Sequence, residues 1–520
     1  MKINVVNLKM PLSFNMDEVR GRVKSIVKCT GQFSVRLIKK SLDARKKDIH
    51  YNLTVAVEFS DTAKYDKRMV EEREIEIYNP KKARKSKTIA VIGAGPCGLF
   101  CALSLAESGL TPIVFERGSD IDERAKRVEG FFSGGVLDED TNIQFGEGGA
   151  GAFSDGKLNT GTKNPRQEYV FRRLVEAGAP ECILYDAHPH VGTDKLRIAV
   201  KGLRDRILSL GGQFLYNTKV DEFITRDGKI TAIGYVSGGI RSRMDVDEVV
   251  LAIGHSARDT YEILSKKTPF ERKPFSVGVR VEHLREAVNA SQFGCDIGIP
   301  AEYKLSHKAK NGRGVYTFCM CPGGVVVPSS SEHGGVVTNG MSYFARSCEN
   351  SNSAILVSVT PDDFGEGGVL KGVEYQRNLE KLAFSLSGDY KAPCQKVSDF
   401  LENKKTSEFG SVTPSYSRGV VGANLREILP SYVSEGLGEG IRAFGDRAEF
   451  FRDGDAVLTG VETRSSAPVR ILRDDTGEAI GIKGLYPAGE GAGYAGGITS
   501  ASVDGVSVAE KIIDKLNSDI

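Results

Sequence analysis

A glycine-rich turn near residue 93 has the composition and spacing that phosphate binding requires. The segment 93–98 reads Gly-Ala-Gly-Pro-Cys-Gly, follows an apolar strand-like run and precedes a helical stretch. In this pattern Gly93 permits a tight turn, Gly95 lets the backbone approach a pyrophosphate, and Gly98 lets helix and strand pack closely. Unpaired N–H groups at the start of the helix attract the phosphates. We therefore predict that these glycines and Pro96 bind the ADP part of a dinucleotide.

An acidic residue follows the second strand-like run at the distance expected for ribose recognition. Glu116 lies 23 residues after Gly93 and directly follows the apolar run 112–115. A carboxylate in this position accepts hydrogen bonds from ribose hydroxyls and repels a 2′-phosphate, so NADP at this loop is disfavoured. The sequence thus predicts Glu116 and the adjacent Arg117 as cofactor contacts.

A second glycine-rich loop spans residues 146–157. Five of its twelve residues are glycine, and Ser154 and Lys157 are among the others. Successive backbone N–H groups in such a loop can form a nest for an anion. We predict Gly148, Gly149, Ser154 and Lys157 as cofactor contacts; the alternative is an ordinary flexible loop.

Three residues are candidates for a chemical step, although the sequence assigns a role to none of them. His190 can titrate near neutrality as an acid or base, Arg464 can bind a carboxylate in bidentate fashion, and Lys157 can balance a negative charge. His190 is equally compatible with a loop histidine that is hydrogen-bonded to the backbone. Arg464 is equally compatible with an ion pair in the core. Further polar candidates are His188, Asp194, Ser465 and Arg470.

Two cysteines, Cys319 and Cys321, are separated by one residue. In a regular strand this spacing puts both side chains on one face. Buried packing is the favoured interpretation of the pair, and redox chemistry is the second.

The C-terminal part adds glycine-rich strand ends that a single dinucleotide loop does not need. One strand-like run ends at Gly254, a further expected cofactor contact, and another ends at Gly489-Glu490. The glycine-rich run 491–497 then precedes a helix expected over 499–516. Together with the first turn, this set resembles the flavoprotein superfamily of glutathione reductase and p-hydroxybenzoate hydroxylase. The resemblance implies FAD as the cofactor, lying extended between the N-terminal turn and the C-terminal element.

The resemblance also implies roles for individual residues. Glu490 takes the place of the usual aspartate that binds the ribityl chain, and the flanking backbone at Gly489 binds a flavin phosphate. The helix start at Gly497 and Ile498 directs N–H groups at the flavin edge that gains negative charge on reduction. The backbone of Val220 is a candidate adenine contact.

Longer motifs resemble one uncharacterised group of bacterial-type FAD-dependent dehydrogenases, the NAD(FAD)-utilising dehydrogenases. The motifs are the segments 142–158, 189–194, 320–324, 460–470 and 487–497. This resemblance runs along the whole chain and implies an FAD-dependent oxidoreductase that transfers hydride on an unidentified organic substrate. A dedicated NADPH domain is not evident, so NAD(P)H is expected only as a transient donor. The lack of a CxxC pair near the flavin motifs argues against a disulfide reductase of the glutathione reductase type.

The elements that position these motifs predict an α/β fold. Alternating strands and helices over 88–275 and 410–520 predict a Rossmann-like FAD-binding domain in two pieces. The β-rich residues 276–409 predict an inserted, mostly antiparallel α+β domain that builds the substrate pocket.

Residues 1–80 read as a small βαββαβ domain of ferredoxin-like, α+β type. Its two helices are expected over 16–28, capped by Asn15, and over 62–72, and its last strand over 74–78. The basic linker 81–87 follows. It is either solvated or in contact with a phosphate or an acidic partner.

Charge is distributed unevenly along the 520 residues. Residues 1–87 carry 21 Lys+Arg against 11 Asp+Glu, a balance of +10, whereas the remainder carries 49 against 57, a balance of −8. The nine cysteines include no CxxC spacing, which disfavours a disulfide framework or a metal site and favours a reducing cytoplasm. No apolar run is long enough for a membrane span.

Other functions stay open beside an oxidoreductase acting on a small-molecule substrate. The positive charge of residues 1–87, the basic head of the chain, suggests an FAD-dependent RNA-modifying enzyme. The missing aromatic RNP pattern makes nucleic acid a disfavoured partner. The lack of a clear catalytic group suggests a non-catalytic FAD-loaded sensor or scaffold whose head binds a partner. An isoprenoid reductase is disfavoured because its Tyr-x-Trp pocket motif cannot exist in a chain without Trp.

Overall fold

The N-terminal residues form a small antiparallel sheet. The computed structural model describes residues 2–27, 31–45, 48–59, 78–159, 164–295 and 297–518, together with the backbone of 70–71. The first elements are β1 (Lys2–Met10), α1 (Met16–Ile26), β2 (Phe33–Asp43), β3 (His50–Phe59) and β4 (Val70–Glu71). The strand order is β2-β3-β1-β4, and each neighbouring pair is antiparallel, as in a ferredoxin-like sheet.

Among the described residues, helix α1 covers this sheet. Buried and more exposed side chains largely alternate along β1 and β3, and α1 contributes Val19 and Val23 to the buried side. The side-chain oxygen of Asn15 accepts hydrogen bonds from the N–H groups of Asp17 at 3.0 Å and Glu18 at 2.9 Å. The N-cap expected at Asn15 is therefore confirmed, and its helix ends at Ile26 instead of residue 28.

One element of the predicted head is wrong. The helix expected over 62–72 does not include its C-terminal residues, because Val70 and Glu71 pair as a strand with Val5 and Asn4 of β1. Backbone pairing outweighs the helical spacing here, since local propensity is a weak prior against tertiary contacts. Residues 62–69 and 72, and residues 74–77 of the expected last strand, lie outside the described residues.

Residues 88–264 alternate helices and strands. The elements are β5 (Ile89–Ile92), α2 (Pro96–Glu107), β6 (Ile113–Phe115), α3 (Ile121–Phe132), α4 (Arg166–Glu176), α5 (Gly192–Ser209), β7 (Gln213–Leu215), β8 (Thr218–Arg226), β9 (Lys229–Ser237), β10 (Ile240–Asp245), β11 (Glu248–Leu251) and α6 (Arg258–Leu264). Three of these strands form an antiparallel sheet in the order β10-β9-β8. The strand and helix expected on either side of the first glycine turn are β5 and α2.

The described residues of 270–462 contain ten strands, seven of which form one sheet. Their elements are β12 (Phe270–Arg272), β13 (Phe275–Leu284), α7 (Arg285–Phe293), β14 (Ser306–Lys308), β15 (Gly314–Cys321), β16 (Val325–Pro328), β17 (Thr338–Met341), β18 (Asn350–Val359), α8 (Lys371–Ser385), β19 (Ala392–Lys396), α9 (Val397–Leu401), β20 (Val420–Gly422), α10 (Ser431–Gly445) and β21 (Val457–Glu462). The sheet order is β14-β15-β18-β13-β21-β19-β20. Its pairs are antiparallel except β19–β20.

The inserted domain is longer than the sequence predicts. The expected boundary at residue 409 is too early, because β20 and β21 belong to this sheet and β21 lies between β13 and β19. Helix α10 separates β20 from β21. Residues 410–462 therefore alternate between helix and strand as a Rossmann-like domain does, but their strands β20 and β21 pair within the seven-stranded sheet.

The C-terminal elements return to the first sheet. They are β22 (Val469–Ile471), β23 (Leu485–Pro487) and α11 (Ile498–Ser518). Strand β23 completes a five-stranded parallel sheet in the order β23-β11-β5-β6-β7. All four residues of the central β5 are buried, as expected for a parallel strand covered on both faces. In open α/β sheets of this kind, ligands bind outside the carboxyl ends of the strands.

The basic linker lies against the acidic body of the chain. The Nζ atom of Lys81 is 2.8 Å from Asp514 of α11, and that of Lys87 is 3.0 Å from Asp247. The backbone N–H of Arg84 donates to Asn517 at 2.9 Å. Part of the linker's positive charge therefore has a partner within the chain itself.

Candidate functional site

A cavity of about 860 Å³ opens at the carboxyl ends of the parallel strands. This volume is typical of cofactor and substrate sites, which span roughly 300–1,000 Å³. The predicted cofactor contacts in its wall are Gly93, Gly95, Pro96, Glu116, Arg117, Gly149, Ser154, Lys157, Val220, Gly254, Glu490, Gly497 and Ile498. The fold thus brings together residues that are far apart in sequence, and their contacts with a cofactor stay predictions.

The first turn requires glycine at two positions. Gly93 has a φ of +103°, and a Cβ atom there would lie 2.3 Å from the carbonyl oxygen of Ala252. A Cβ on Gly98 would lie 1.9 Å from the carbonyl oxygen of Gly93. Gly98 does not line the cavity, because its place is in the contact between α2 and the turn. That position agrees with the packing role of the third glycine in this pattern.

Two helices begin at the cavity wall. Helix α2 starts at Pro96 after Gly95, which supplies no side-chain cap, and α11 starts at Ile498. The helices approach closely, since a Cβ on Gly505 would lie 2.1 Å from the carbonyl oxygen of Cys97. The first N–H groups of a helix lack intrahelical partners and carry partial positive charge. The cavity therefore presents two helix ends that favour a negatively charged ligand.

The Glu116 carboxylate connects the two glycine loops. Its Oε2 accepts from the N–H of Ala94 at 2.8 Å, and its Oε1 accepts from Gly118 at 2.9 Å and Gly146 at 3.0 Å. A carboxylate has about four acceptor positions, so roughly one remains for a ligand hydroxyl. Glu116 thus has a structural role beside the ribose contact that the sequence predicts.

A buried arginine holds the second glycine loop in shape. Arg124 is fully buried, and its guanidinium donates at 2.6–3.2 Å to the carbonyl oxygens of Asn142, Ile143, Gly146, Glu147 and Gly149. Gly148 lies behind the wall, where its N–H donates to the Ala94 carbonyl at 2.8 Å. An ordinary flexible loop would not be built around five bonds to one internal cation.

The predicted ribityl contact faces a histidine that the sequence analysis did not identify. The Oε1 atom of Glu490 is 3.0 Å from Nδ1 of His255, and both residues line the cavity. The Nε2 atom of His255 is buried and has no hydrogen-bond partner among the described residues. An unpaired buried polar atom is costly unless a ligand or water bonds to it. This end of the cavity therefore fits a bound polar group.

Charged side chains from the inserted domain and from residues 88–275 line the other end of the cavity. His188 Nδ1 lies 3.3 Å from Glu302 Oε2, and this contact raises the pKa of His188 above its ordinary value. Burial opposes ionisation of Glu302, but the contact with His188 and the charges of Lys157 and Arg346 lower its pKa to about 2. Lys304 also lines this end. The arrangement offers both a proton-carrying histidine and positive charge to a substrate.

His190 does not line the cavity, and its candidacy as an acid or base stays a prediction. Its backbone forms an isolated β-bridge with Lys157, and its ring stacks on Phe344 with the centroids 5.3 Å apart. Burial lowers the pKa of His190. His188, two residues earlier, lines the cavity instead.

Arg464 lines the cavity, but its guanidinium is engaged within the protein. Nε and Nη2 donate to Glu380 at 3.0 and 2.8 Å, and Nη1 donates to Ser256 at 3.1 Å and to Ser331. The core ion pair is therefore the interpretation that the structure supports. Lys157 is the predicted chemical candidate that keeps a place in the wall without such engagement; its nearest carboxylate, Asp155, is 3.8 Å away.

The remaining predicted residues have mostly structural contacts. Gly489 lies behind the wall, where a Cβ would come within 2.8 Å of the Cys97 side chain. Asp194 accepts from the N–H of Phe344 at 2.8 Å, and Arg470 donates to Glu271 at 3.3 Å; neither lines the cavity. Ser465 does line it.

Several wall residues carry no motif that sequence reasoning could use. They are His255, Ser256, Glu302, Lys304 and Asn339. His255 and Ser256 had one available signal, since they directly follow the strand that ends near Gly254. Glu302 and Lys304 lie in an irregular stretch between α7 and β14, where periodicity gives no information.

Comparisons with known proteins identify related sequences. Residues 274–465 match the family model described as "FAD-dependent protein, C-terminal domain-like", and residues 2–58 match "Domain of unknown function (DUF8436)". The first range agrees with the extent of the seven-stranded sheet. An uncharacterised protein of Clostridium beijerinckii is 45% identical over 532 residues, which cover 99% of this chain and 99% of that protein.

Solved structures show only distant similarity. Glycine oxidase from Bacillus cereus is 13% identical, with coverage of 82% of this chain and 95% of its own and a TM-score of 0.36. Glycerol-3-phosphate dehydrogenase from Bacillus halodurans complexed with FAD is 13% identical, with coverage of 84% and 65% and a TM-score of 0.37. Values this low establish no shared function.

FAD is the cofactor of this protein. The family model describes an FAD-dependent protein, in agreement with the cofactor that the glycine motifs imply. The cavity fits such a group, because two helix ends, backbone without side chains at Gly95 and Gly149, and the unpaired His255 Nε2 border one space.

The variant Glu116→Gln is expected to lower the affinity for FAD by about 10- to 100-fold. Its amide cannot accept at both atoms, so the contact between the glycine loops weakens; bonds to charged groups contribute roughly 1.5–3 kcal/mol. Fluorescence titration of the apoprotein with FAD measures the change. Glu129→Gln, on an exposed position of α3, is the control and should bind like the parent chain. Parental affinity in both variants would contradict the role given to Glu116.

Proposed function

We propose that this chain, which belongs to the same family as the uncharacterised Clostridium beijerinckii protein, is an FAD-dependent oxidoreductase acting on a small organic substrate. The observation that carries the proposal is one cavity that joins the glycine loops to a charged end, which is built by Glu302 and Lys304 of the inserted domain and by His188 and Lys157 from residues 88–275. When bound, FAD supplies hydride acceptance and donation. The finer assignment to the NAD(FAD)-utilising dehydrogenases rests on the sequence motifs.

The charged end would bind the substrate and move its proton. Lys157 and Lys304 supply positive charge for an anionic group of the substrate. His188 holds a proton more strongly than an ordinary histidine because of Glu302, and it can donate or accept that proton near neutral pH. The substrate is thus proposed to be polar and to carry a group that loses or gains a proton during hydride transfer.

The proposed partners are small molecules. NAD(P)H is proposed as a transient electron donor. The pairing of Lys81 and Lys87 with the chain's own carboxylates reduces the charge available to RNA, so a nucleic-acid substrate is not part of the proposal.

A reducing compartment such as the cytoplasm is proposed for the protein. The eight cysteines among the described residues are unpaired thiols, as is usual in reducing surroundings. Within the described part of the chain, no helix combines the length and the apolar character needed to cross a membrane.

An anaerobic flavin-reduction screen tests the proposal. The purified holoprotein is mixed with NADH, NADPH and pools of small metabolites, and flavin absorbance is followed. We expect one donor to bleach the flavin rapidly and an acceptor to restore it in repeated turnovers. FAD that none of these donors reduces would contradict the proposal and favour a sensor or scaffold.

The variant Glu302→Gln is expected to change the pH dependence of flavin reduction. Loss of the carboxylate removes the contact that raises the pKa of His188, so the corresponding midpoint moves to lower pH by about one unit. The rate of reduction by the donor found in the screen, measured across pH, checks this. Glu439→Gln is the control, because Glu439 lies 4.0 Å from His307 in another histidine–glutamate pair, which does not line the cavity. Equal profiles for Glu302→Gln and the parent would contradict the role of His188.

A further inference from the structure

Two cysteines near the end of β15 lie at an irregular point of the cavity wall. Cys319 lines the cavity, and Cys321 is fully buried. The register with β18 shifts between Phe318 and Cys321, and Cys319 has a φ of +44°. The regular strand expected from the spacing is therefore interrupted at Cys319. A positive φ is uncommon for a residue with a side chain and often marks a functional site.

The surrounding structure holds this irregular backbone in place. The buried Arg280 donates through Nη1 to the Cys319 carbonyl at 3.1 Å, and its guanidinium binds Glu462 at 2.6 Å. The thiol of Cys321 donates to the same carbonyl at 3.3 Å. A Cβ on Gly340 would lie 2.1 Å from Arg280 Nη1, so the guanidinium occupies space that a side chain at Gly340 would need.

The pKa values of the two thiols are shifted in opposite directions. Contact with the Cys321 side chain, together with the charges of Arg280 and Lys157, lowers the pKa of Cys319 below its ordinary value although burial opposes this. The same contact and burial raise the pKa of Cys321. Cys348 is half-buried like Cys319 but does not line the cavity, and burial raises its pKa above the ordinary value. A thiolate in a cavity is the reactive form of cysteine.

We propose that Cys319 and Cys321 form a redox-active dithiol–disulfide pair that exchanges an electron pair with FAD in the same cavity. Bond formation between the Cys319 thiolate and the Cys321 thiol creates one Sγ–Sγ bond, breaks one S–H bond and releases one proton and one electron pair. FAD is the acceptor of that electron pair and proton. The reverse transfer from reduced FAD breaks the Sγ–Sγ bond and restores the thiolate and thiol.

Alkylation kinetics test the reactive thiol independently of FAD. Iodoacetamide is added to the reduced full-length protein at neutral pH, and each cysteine peptide is quantified by mass spectrometry. We expect Cys319 to react at least about 10-fold faster than Cys348, because its thiolate fraction is larger. Equal or slower reaction of Cys319 would overturn the proposal.

A reductive titration tests the electron exchange. The oxidised holoprotein is titrated anaerobically with dithionite, and the flavin spectrum and the alkylation state of both cysteines are recorded. The parent chain and Cys348→Ser should take up two electron pairs. The variants Cys319→Ser and Cys321→Ser should take up one, and before the titration their oxidised flavin spectrum should match that of the parent.

Two further results would overturn the proposal. Uptake of one electron pair by all four proteins would exclude the disulfide. A chain that reacts rapidly at Cys319 but binds no FAD would overturn the exchange with FAD and would, separately from the thiol result, contradict the proposed function.

Discussion

The variant Gly95→Val is expected to fold and to lose FAD. A Cβ at Gly95 would have one heavy-atom neighbour within 4 Å, the Cα of Gly149 at 3.6 Å, so the fold has room for it. Both glycines line the cavity at the start of α2, where the backbone is predicted to meet the pyrophosphate. The added isopropyl group would occupy that space. We expect at least a 100-fold weaker FAD affinity, about 2.7 kcal/mol of binding free energy.

Two other glycines make this experiment specific. Gly130→Ala, on an exposed position of α3 with no atom within 4 Å of its Cβ, should keep both fold and FAD. Gly98→Ala should impair folding itself, because its Cβ would lie 1.9 Å from a backbone oxygen. Far-UV circular dichroism and flavin content of the purified proteins separate these outcomes. Gly95→Val with parental FAD affinity would contradict the pyrophosphate position.

The variant Glu380→Gln is expected to cost about 3–5 kcal/mol of unfolding free energy. Glu380 is 1% exposed and accepts from Arg258 at 2.8 and 2.9 Å and from Arg464 at 2.8 and 3.0 Å. Glutamine keeps the shape but removes the charge, which leaves the buried Arg464 without its carboxylate. Denaturant unfolding measures the loss. Glu374→Gln, at an exposed position of the same helix, should change stability by less than about 1 kcal/mol.

The unfolding free energies of the parent and of Glu380→Gln should also depend differently on pH. Burial opposes ionisation of Glu380, but Arg258 and Arg464 outweigh it and hold its pKa well below the ordinary range. A depressed folded-state pKa stabilises the protein above the unfolded pKa of about 4.3, and this stabilisation is lost as pH falls towards the folded value. The parent should therefore lose more unfolding free energy than Glu380→Gln between neutral pH and pH of about 3. Parallel pH dependences would contradict the ionised state of Glu380.

The glycine motifs made part of the site predictable. The apolar run before residue 93 and the stretch after it become β5 and α2, because glycine spacing is a local constraint that survives in the fold. The expected C-terminal helix is α11, which begins at Ile498. Three of the predicted glycines, Gly98, Gly148 and Gly489, lie behind the cavity wall and support it. Glycine is needed in such motifs where backbone segments pack closely as well as where backbone approaches a ligand.

The charged end of the cavity could not be read from spacing. His188, Glu302 and Cys319 come from three separate segments, and the choice of His190 over His188 depended on which ring the loop turns towards the cavity. Arg124 and Arg280 are single buried cations whose partners are backbone carbonyls or distant side chains. The boundary at residue 409 was missed because pairing of β21 with β13 is a long-range choice.

A crystal structure of the holoprotein purified with its flavin tests the central claim most directly. We predict FAD density within the cavity, with the adenosine ribose at Glu116, the diphosphate at the start of α2 beside Gly95 and Gly149, and the flavin ring at the start of α11 near Ile498. An empty cavity in a protein that carries no flavin, or FAD bound elsewhere on the chain, would contradict it.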